Sequence, residues 1–244
     1  MATYDVLAQH YDAVAGDPAT EAALIRDIVE RRHGRVTTLL DVACGTGGIT
    51  DLLSGAYQVS GLDISAGMLA VAREKLPRGT PLYRADMTCF ELRARFDAVV
   101  CAYQGVNHLL SLTAWESFFG CAYRHLNPGG VFVFDIATVR YLMMMASIPR
   151  EVQQFAGHYL VIRVSTADGV LFRWHIEVFE LQRDGKYQLL TQAVEMRSFP
   201  VDRIREALRR RFADVEVIGG GGNTASTADE DGADRLWLAC ARPG

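Results

Sequence analysis

Apolar positions fall first at helical spacing and then in short unbroken runs. Leu24, Ile25, Ile28 and Val29 recur three and four apart, which predicts a helix opened by Asp17-Pro18 and stopped by Gly34. From residue 36 the rhythm changes. Apolar runs at 36–43, 57–62, 82–85, 96–102 and 131–136 predict strands, and their lack of alternation predicts a sheet covered on both faces. Helical patterns lie between them. Ile49, Leu52 and Leu53 precede Gly55, while Met68, Leu69, Ala72 and Leu76 lie between Ser65 and Pro77. Thr113-x-x-Glu116 is a capping box for a helix running to Leu126, and Asn127-Pro128-Gly129-Gly130 is a turn. Repeated strand–helix units predict an α/β fold, a doubly wound and mostly parallel sheet with right-handed crossovers.

After Thr138 the period drops to two. A helix through Met143, Met144 and Met145 leads into alternating segments at 159–165, 170–181 and 187–199, separated by the hairpin dipeptides Asp168-Gly169 and Asp184-Gly185. An antiparallel β-sheet inserted in an α/β chain is expected to form a lid over the carboxyl ends of the parallel strands, where ligands bind. A helix near 201–212 and strands near 215–218 and 236–241 resume the first pattern, and the glycine-rich, acidic connection 219–232 reads as mobile. The chain thus divides into an N-terminal cap segment and helix (1–34), an α/β domain (35–138 and 200–244) and an inserted region (139–199).

Composition narrows the partners. In 244 residues, half of them hydrophobic, the formal net charge is −4, and the longest basic run is Arg209-Arg210-Arg211. A nucleic-acid groove would want more positive charge. The five cysteines are scattered, without the spacing of a metal site, an iron–sulfur cluster or a disulfide framework. No signal-peptide succession opens the chain, and no apolar run reaches membrane-spanning length. A cytoplasmic protein is expected, with a small-molecule substrate, no metal, no nucleic acid and no membrane. It would be a monomer or, through the exposed edges of the inserted sheet, a homodimer.

The candidate chemistry gathers at Leu39-Leu40-Asp41-Val42-Ala43-Cys44-Gly45-Thr46-Gly47-Gly48, a strand breaking into a glycine turn before a helix. That arrangement holds adenine nucleotides and related molecules. Asp41 can hold the turn or reach an amino group through water. Asp63, at the end of the second strand, can accept both ribose hydroxyls of a nucleoside. A nicotinamide fingerprint would want glycine where Ala43 stands. Asp41-Val42-Ala43-Cys44-Gly45-Thr46-Gly47 resembles the first motif of class I S-adenosylmethionine-dependent methyltransferases. Gly61-Leu62-Asp63-Ile64-Ser65, Ala85-Asp86-Met87 and Leu126-Asn127-Pro128-Gly129-Gly130 resemble later motifs of that family, in the same order. The resemblance covers about residues 35–137.

The resemblance implies a Rossmann-like fold, S-adenosylmethionine as cofactor with S-adenosylhomocysteine as product, and roles for individual residues. Ala43, Gly45, Thr46 and Gly47 would let the backbone approach the methionine part. Asp63 would bind the ribose and Ile64 pack on the adenine. Asp86 would accept from the adenine amino group, or simply cap a turn, and Met87 would offer its backbone nitrogen. Met68 reads as a cofactor contact or as core. Tyr103 and Gln104 would face the sulfonium. The N-terminal Tyr4-Asp5-x-Leu7-Ala8-x-x-Tyr11-Asp12, His108 and the inserted sheet are similar to aminosugar N,N-dimethyltransferases and glycine N-methyltransferases. There His108 would act as a base toward substrate. Tyr11 would close over the cofactor or meet the substrate, and Tyr4 would contact the substrate. In the insertion, Arg173, His175 and Glu177 alternate onto one strand face, either a pocket wall or a solvated surface. The chain lacks an Asn-Pro-Pro-Tyr after the fourth strand, the mark of enzymes that methylate planar nitrogens. The expected function is methyl transfer to a nitrogen or oxygen of a small metabolite. A cyclase, lyase or other non-methylating enzyme on this fold, and a catalytically silent S-adenosylmethionine-binding partner protein, remain alternatives.

Overall fold

The computed structural model describes residues 4–219 and 232–244, so most of the 219–232 connection lies outside the described residues. A short helix α1 (Tyr11–Ala15) precedes α2 (Ala19–His33). Then β1 (Thr38–Val42), α3 (Gly48–Ser54), β2 (Gln58–Asp63), α4 (Ala66–Lys75), β3 (Leu82–Arg84) and β4 (Phe96–Cys101) alternate. A 3-10 turn at Gly105–His108 leads to α5 (Leu112–His125), β5 (Leu126–Ala137) and α6 (Val139–Ser147). Strands β6 (Glu151–Phe155), β7 (His158–Thr166), β8 (Phe172–Leu181) and β9 (Tyr187–Met196) follow, then α7 (Val201–Arg209), β10 (Ala213–Gly219) and β11 (Arg235–Ala241).

The main sheet has the order β10-β11-β5-β4-β1-β2-β3. Strands β1 to β5 pair in parallel, and β11 and β10 close one edge antiparallel. The chain reverses direction across the sheet between β1 and β4, which opens a crevice at their carboxyl ends. Both faces are covered. Phe118, Phe119, Phe132 and Phe134 pack with Trp115 on one side, and Ile25, Ile28, Val29, Leu53 and Trp237 pack on the other. This burial on both faces explains the unbroken apolar runs.

The inserted residues form a second, four-stranded antiparallel sheet, β6-β7-β8-β9. Both predicted hairpin turns are present: Gly169 and Gly185 sit at φ +67° and +80°, and the Asp168 carboxylate accepts from the Val170 and Leu171 amides. One face of this sheet buries Leu160, Ile176, Val178 and Val194 against Leu7 of the N-terminal segment. Nearer the main sheet, Phe172, Val164 and Met196 pack on Leu142 and Met145 of α6.

Four local expectations are corrected. Helix α2 begins at Ala19, with Asp17 accepting from the Ala19 amide rather than serving as the N-cap. Helix α5 is capped by Ser111, whose hydroxyl accepts from the Ala114 amide, so Thr113 lies inside the first turn. Leu52 points outward, 48% exposed, because α3 buries Ile49, Thr50 and Leu53. The Asn127–Gly130 turn is absorbed as a bulge in β5, where Phe96 pairs with Leu126 and Ala98 with Val131. A Cβ at Gly130 would lie 2.9 and 3.0 Å from two carbonyl oxygens, so only glycine fits this bulge.

Candidate active site

Strand β1 delivers Asp41, 2% exposed, to the head of the glycine turn. The backbone then turns through positive φ at Ala43 (58°), Gly45 (55°) and Gly47 (79°) before α3 starts. Gly47 is the N-cap of α3, and a side chain there would be strained at that φ as well as pressed on Leu76 at 3.2 Å. The Thr50 hydroxyl donates to Asp41 at 2.6 Å, tying strand to helix. Burial pushes the Asp41 carboxyl up to about 7, with the Thr50 hydrogen bond opposing. The fold therefore favours the protonated acid. The stabilisation this provides is complete below the unfolded value of about 3.9 and is lost as pH rises through about 7. Thermal melts of ligand-free protein should show wild type gaining stability over Asp41→Asn as pH is lowered from about 7 to about 5. Equal pH dependence in the two proteins would contradict this.

At the end of β2, Asp63 accepts from the Gly45 amide at 2.9 Å and from the Ser65 amide at 2.8 Å. Burial raises its pKa and these amides oppose the rise. The carboxylate thus fixes the glycine turn against the start of α4, which Ser65 caps by accepting from the Met68 amide. Two cavities meet over this frame. One, about 350 Å³, runs along the turn past Asp41, Thr46 and Asp12. The other, about 100 Å³, is lined by Asp63, Ile64, Met68 and Met87 together with Tyr4 and His108. Tyr11, Ala43, Gly45, Ala102 and Tyr103 line both. Asp86 spends Oδ1 on capping, accepting from the Thr88 amide and hydroxyl, while its residue borders a small recess beside Met87.

The N-terminal segment is strapped across these cavities. Asp5 accepts from the Ser65 hydroxyl at 2.6 Å and the Gly67 amide at 2.7 Å. Asp12 accepts from the Thr46 hydroxyl at 2.5 Å and from Lys75 at 2.6 Å. His108 sits beneath the strap. Its Nδ1 lies 3.1 Å from the Glu195 carbonyl oxygen, which only accepts, so Nδ1 carries the proton and Nε2 is the acceptor. The Tyr4 hydroxyl, 3.2 Å away, donates to that Nε2. Burial lowers the His108 pKa, with the Glu195 hydrogen bond opposing, and keeps the ring neutral. Burial raises the Tyr4 and Tyr11 phenols, which stay protonated.

Past β4 the chain takes two consecutive non-glycine residues at positive φ, Tyr103 and Gln104, both at 56°. Each costs about 1–3 kcal/mol and persists only where its surroundings over-determine it. Asp135, fully buried in β5, provides that restraint by accepting from the Gln104 amide at 2.9 Å and the Gln104 side chain at 2.8 Å. Arg235 donates to the same carboxylate at 2.5 Å and to Glu21 of α2 at 2.8 Å. The guanidinium lies 5.6 Å from the Tyr103 ring centroid. Asn107, also fully buried, donates to the Ala137 and Arg197 carbonyls and accepts from the Ala137 amide.

This geometry corrects some expectations. Gln104 does not border either cavity, because its amide is turned away to Asp135. Arg173 and His175 lie on the sheet face opposite Ile176 and Val178 and border neither cavity. Arg173 pairs with Glu195, and His175 meets the Ser165 hydroxyl at 3.2 Å. The Thr46 hydroxyl is held by Asp12 although its residue borders the larger cavity. Asp5, Asp12, Asn107, Asp135, Glu21 and Arg235 had no assigned roles. The only sequence signals for the last three are a lone acid within the fifth apolar run, an acid on an amphipathic helix, and an arginine opening the last run. Among the described residues no group of three potential metal ligands occurs, and no helix is long and apolar enough to cross a membrane.

A methyltransferase-domain profile matches residues 39–130, the stretch from β1 to the β5 bulge that carries Asp41, Asp63, Met87 and Tyr103. That stretch of the chain resembles a methyltransferase domain. Over 132 residues it is 36% identical to the dTDP-3-amino-3,4,6-trideoxy-alpha-D-glucopyranose N,N-dimethyltransferase of Streptomyces venezuelae, covering 54% of this chain and 55% of that protein. The chain thus spans about half the length of the curated relatives it matches. Whole-chain likeness comes from solved structures. An S-adenosylmethionine-dependent methyltransferase from Clostridium acetobutylicum superposes with a TM-score of 0.84 at 21% identity, over 99% of each chain, and shares the fold. A sugar N-methyltransferase from Streptoalloteichus sp. superposes with a TM-score of 0.83 at 25% identity, over 100% of this chain and 94% of that one. The α/β domain and the inserted sheet therefore form an architecture shared along the whole chain with both of these solved structures.

Proposed function

We propose that this protein transfers a methyl group from S-adenosylmethionine to a nitrogen of a small metabolite. The observation that carries the reading is the junction of the two cavities. There the glycine turn and Asp63 meet a neutral histidine and two protonated tyrosines. The residues present fit S-adenosylmethionine. The Asp63 carboxylate, already oriented by two amides, would take the ribose hydroxyls, and Ile64, Met68 and Met87 would flank the adenosine. Asp86 would reach the adenine amino group with Oδ2. The turn at Ala43, Gly45 and Gly47 would lie against the methionine part, with Asp41 facing its cationic amino group. The bound molecule supplies a methyl group already activated on a sulfonium.

What remains for the chain is to hold the acceptor and keep water out. Aligning a nucleophile at near-attack distance contributes about 7–11 kcal/mol of barrier lowering. Tyr4, Tyr11 and Tyr103 supply apolar walls with hydroxyl tips for that task, and an acceptor that arrives charged can pass its proton to the Tyr4 oxygen as the Tyr4 hydroxyl proton moves to His108 Nε2. Nitrogen acceptors are favoured by the aminosugar N,N-dimethyltransferase and sugar N-methyltransferase likenesses. The same reading places the protein in the cytoplasm as a monomer or homodimer acting on a free metabolite, consistent with a net charge of −4.

Mass spectrometry of purified protein with S-adenosylmethionine and a panel of aminosugars and other small amines tests this reading. The expected products are S-adenosylhomocysteine and an amine heavier by one methylene unit. Methylthioadenosine would point instead to cyclase or lyase chemistry, and binding without turnover to a silent module. A base role for His108 has its own signature. Turnover should hold from neutral to mildly basic pH and fall only on acidification below the usual histidine range, since burial lowers this pKa. His108→Ala should remove about 10²–10⁴-fold of the rate at neutral pH with that acid limb. Turnover in His108→Ala equal to wild type from mildly acidic to mildly basic pH would exclude the role.

A further inference from the structure

Arg235 stands far from the glycine turn in sequence and borders neither cavity, yet it meets the wall the cavities share. From the first position of β11 it reaches three neighbouring elements. Its Nε donates to Asp135 of β5, its Nη1 donates to Glu21 of α2, and its guanidinium lies over the Tyr103 ring that follows β4. The guanidinium also lies 4.9 Å from the Trp237 ring centroid. The guanidinium thus neighbours two aromatic rings while its N–H groups are held by two carboxylates, an arrangement that suits a planar guanidinium and not an ammonium.

The object of this grip is a strained turn. Tyr103 and Gln104 hold positive φ without glycine. Asp135 secures Gln104 by both its backbone and its side-chain amide, so Tyr103 is positioned from behind by Arg235 and from its own C-terminal side by Asp135. Gly105 follows, where an added Cβ would lie 3.0 Å from the Ala43 Cβ and 3.0 Å from the Cys101 sulfur. The turn after β4 is therefore pressed directly on the turn after β1. Movement of Tyr103 would change the junction of the two cavities, because Tyr103 and Ala43 line both.

We infer that Arg235, through Asp135, is a positioning residue that sets the place of Tyr103 at the junction of the donor and acceptor spaces. It acts on the geometry of methyl transfer rather than on donor affinity. This inference rests on the proposed methyl transfer for its kinetic consequence and on the structure alone for the position of Tyr103. The Asp63 carboxylate is held by the Gly45 and Ser65 amides and not by Arg235, Asp135 or Glu21, so donor affinity should be spared.

The test uses the full chain, wild type and Arg235→Met, with Arg235→Lys as the conservative variant and Glu21→Gln as a milder loosening should Arg235→Met fail to fold. The first readout needs no activity. In protein labelled with 3-fluorotyrosine, the Tyr103 resonance is assigned by its loss in Tyr103→Phe. It should shift in Arg235→Met and, less, in Arg235→Lys and Glu21→Gln. The second readout is kinetic. With an amine that wild type methylates, kcat should fall about 10–100-fold in Arg235→Met, while Kd for S-adenosylhomocysteine changes less than about threefold. Lysine should restore thermal stability more than it restores kcat. An unmoved Tyr103 resonance, a retained kcat, or a loss of donor affinity as large as the loss of kcat would overturn the inference. If wild type methylates no amine, the proposed function fails by itself, and the Tyr103 resonance alone then decides the positioning role.

Discussion

Replacing Asp63 with alanine is expected to weaken S-adenosylhomocysteine binding by about 10²–10³-fold, leaving a folded protein that fails to bind at micromolar concentration. The residue does two things at once. Its oxygens accept from the Gly45 and Ser65 amides, so its loss releases the glycine turn from the start of α4. The same carboxylate is the group proposed to receive the ribose hydroxyls. Hydrogen bonds to a charged group contribute about 1.5–3 kcal/mol each, and the turn loses its anchor together with the ligand contacts. Asparagine should not rescue the site. Whichever way its amide points, an NH₂ meets an N–H donor where an oxygen now accepts. Calorimetric titration of Asp63→Ala and Asp63→Asn, with circular dichroism to check the fold, measures this. Wild-type affinity in either variant would remove Asp63 from the site.

The second large effect concerns stability. Asn107→Leu should lower the free energy of unfolding by about 3–5 kcal/mol, because the nearly isosteric leucine fills the space but leaves two buried backbone groups and one half-buried one unpaired. Those groups are the Ala137 amide and carbonyl and the Arg197 carbonyl. For a chain of this length that corresponds to a fall in Tm of about 6–20 °C. The residue also joins two parts of the molecule. Arg197 follows β9 of the inserted sheet, and the Arg197 amide donates to the Asn107 carbonyl. His108, next in sequence, is oriented by the Glu195 carbonyl on the same strand. Loss of Asn107 should therefore loosen the seating of His108 as well as the fold. A melting temperature within about 2 °C of wild type would show that these groups find other partners.

The parts of this molecule that sequence discloses are those whose physics is local. The glycine turn, the strand ends at Asp63 and Met87, and the Asp-Gly hairpins each depend on steric and hydrogen-bonding demands within a few residues. The structure indeed brings Tyr4, Tyr11, Asp63, Ile64, Met68, Met87, Tyr103 and His108 around one cavity. Period-two alternation put Arg173, His175 and Glu177 on one face. The apolar residues between them, Phe172, Trp174, Ile176 and Val178, read as the core face, and Ile176 and Val178 pack on Leu7 of the N-terminal segment; whether the polar face walled a pocket could not be read from alternation. Strand β6 escaped the pattern because Glu151–Phe155 alternates weakly and is held by backbone pairing to β7. Gln104 reads from sequence as a polar side chain at a strand end. Its turn toward Asp135 is decided by partners 31 residues away, and Arg235 joins Asp135 across 100 residues. Such pairings follow from the sheet order β4-β5-β11, which no local window contains.

The most direct test is a crystal structure of the full chain with S-adenosylhomocysteine. The adenosine is expected beside Ile64 and Met87, the ribose on Asp63, and the sulfur at the junction lined by Tyr103 and Ala43, open toward Tyr4 and His108. Binding elsewhere on the molecule, or a ribose that leaves the Asp63 carboxylate untouched, would contradict the assignment of these cavities to methyl transfer.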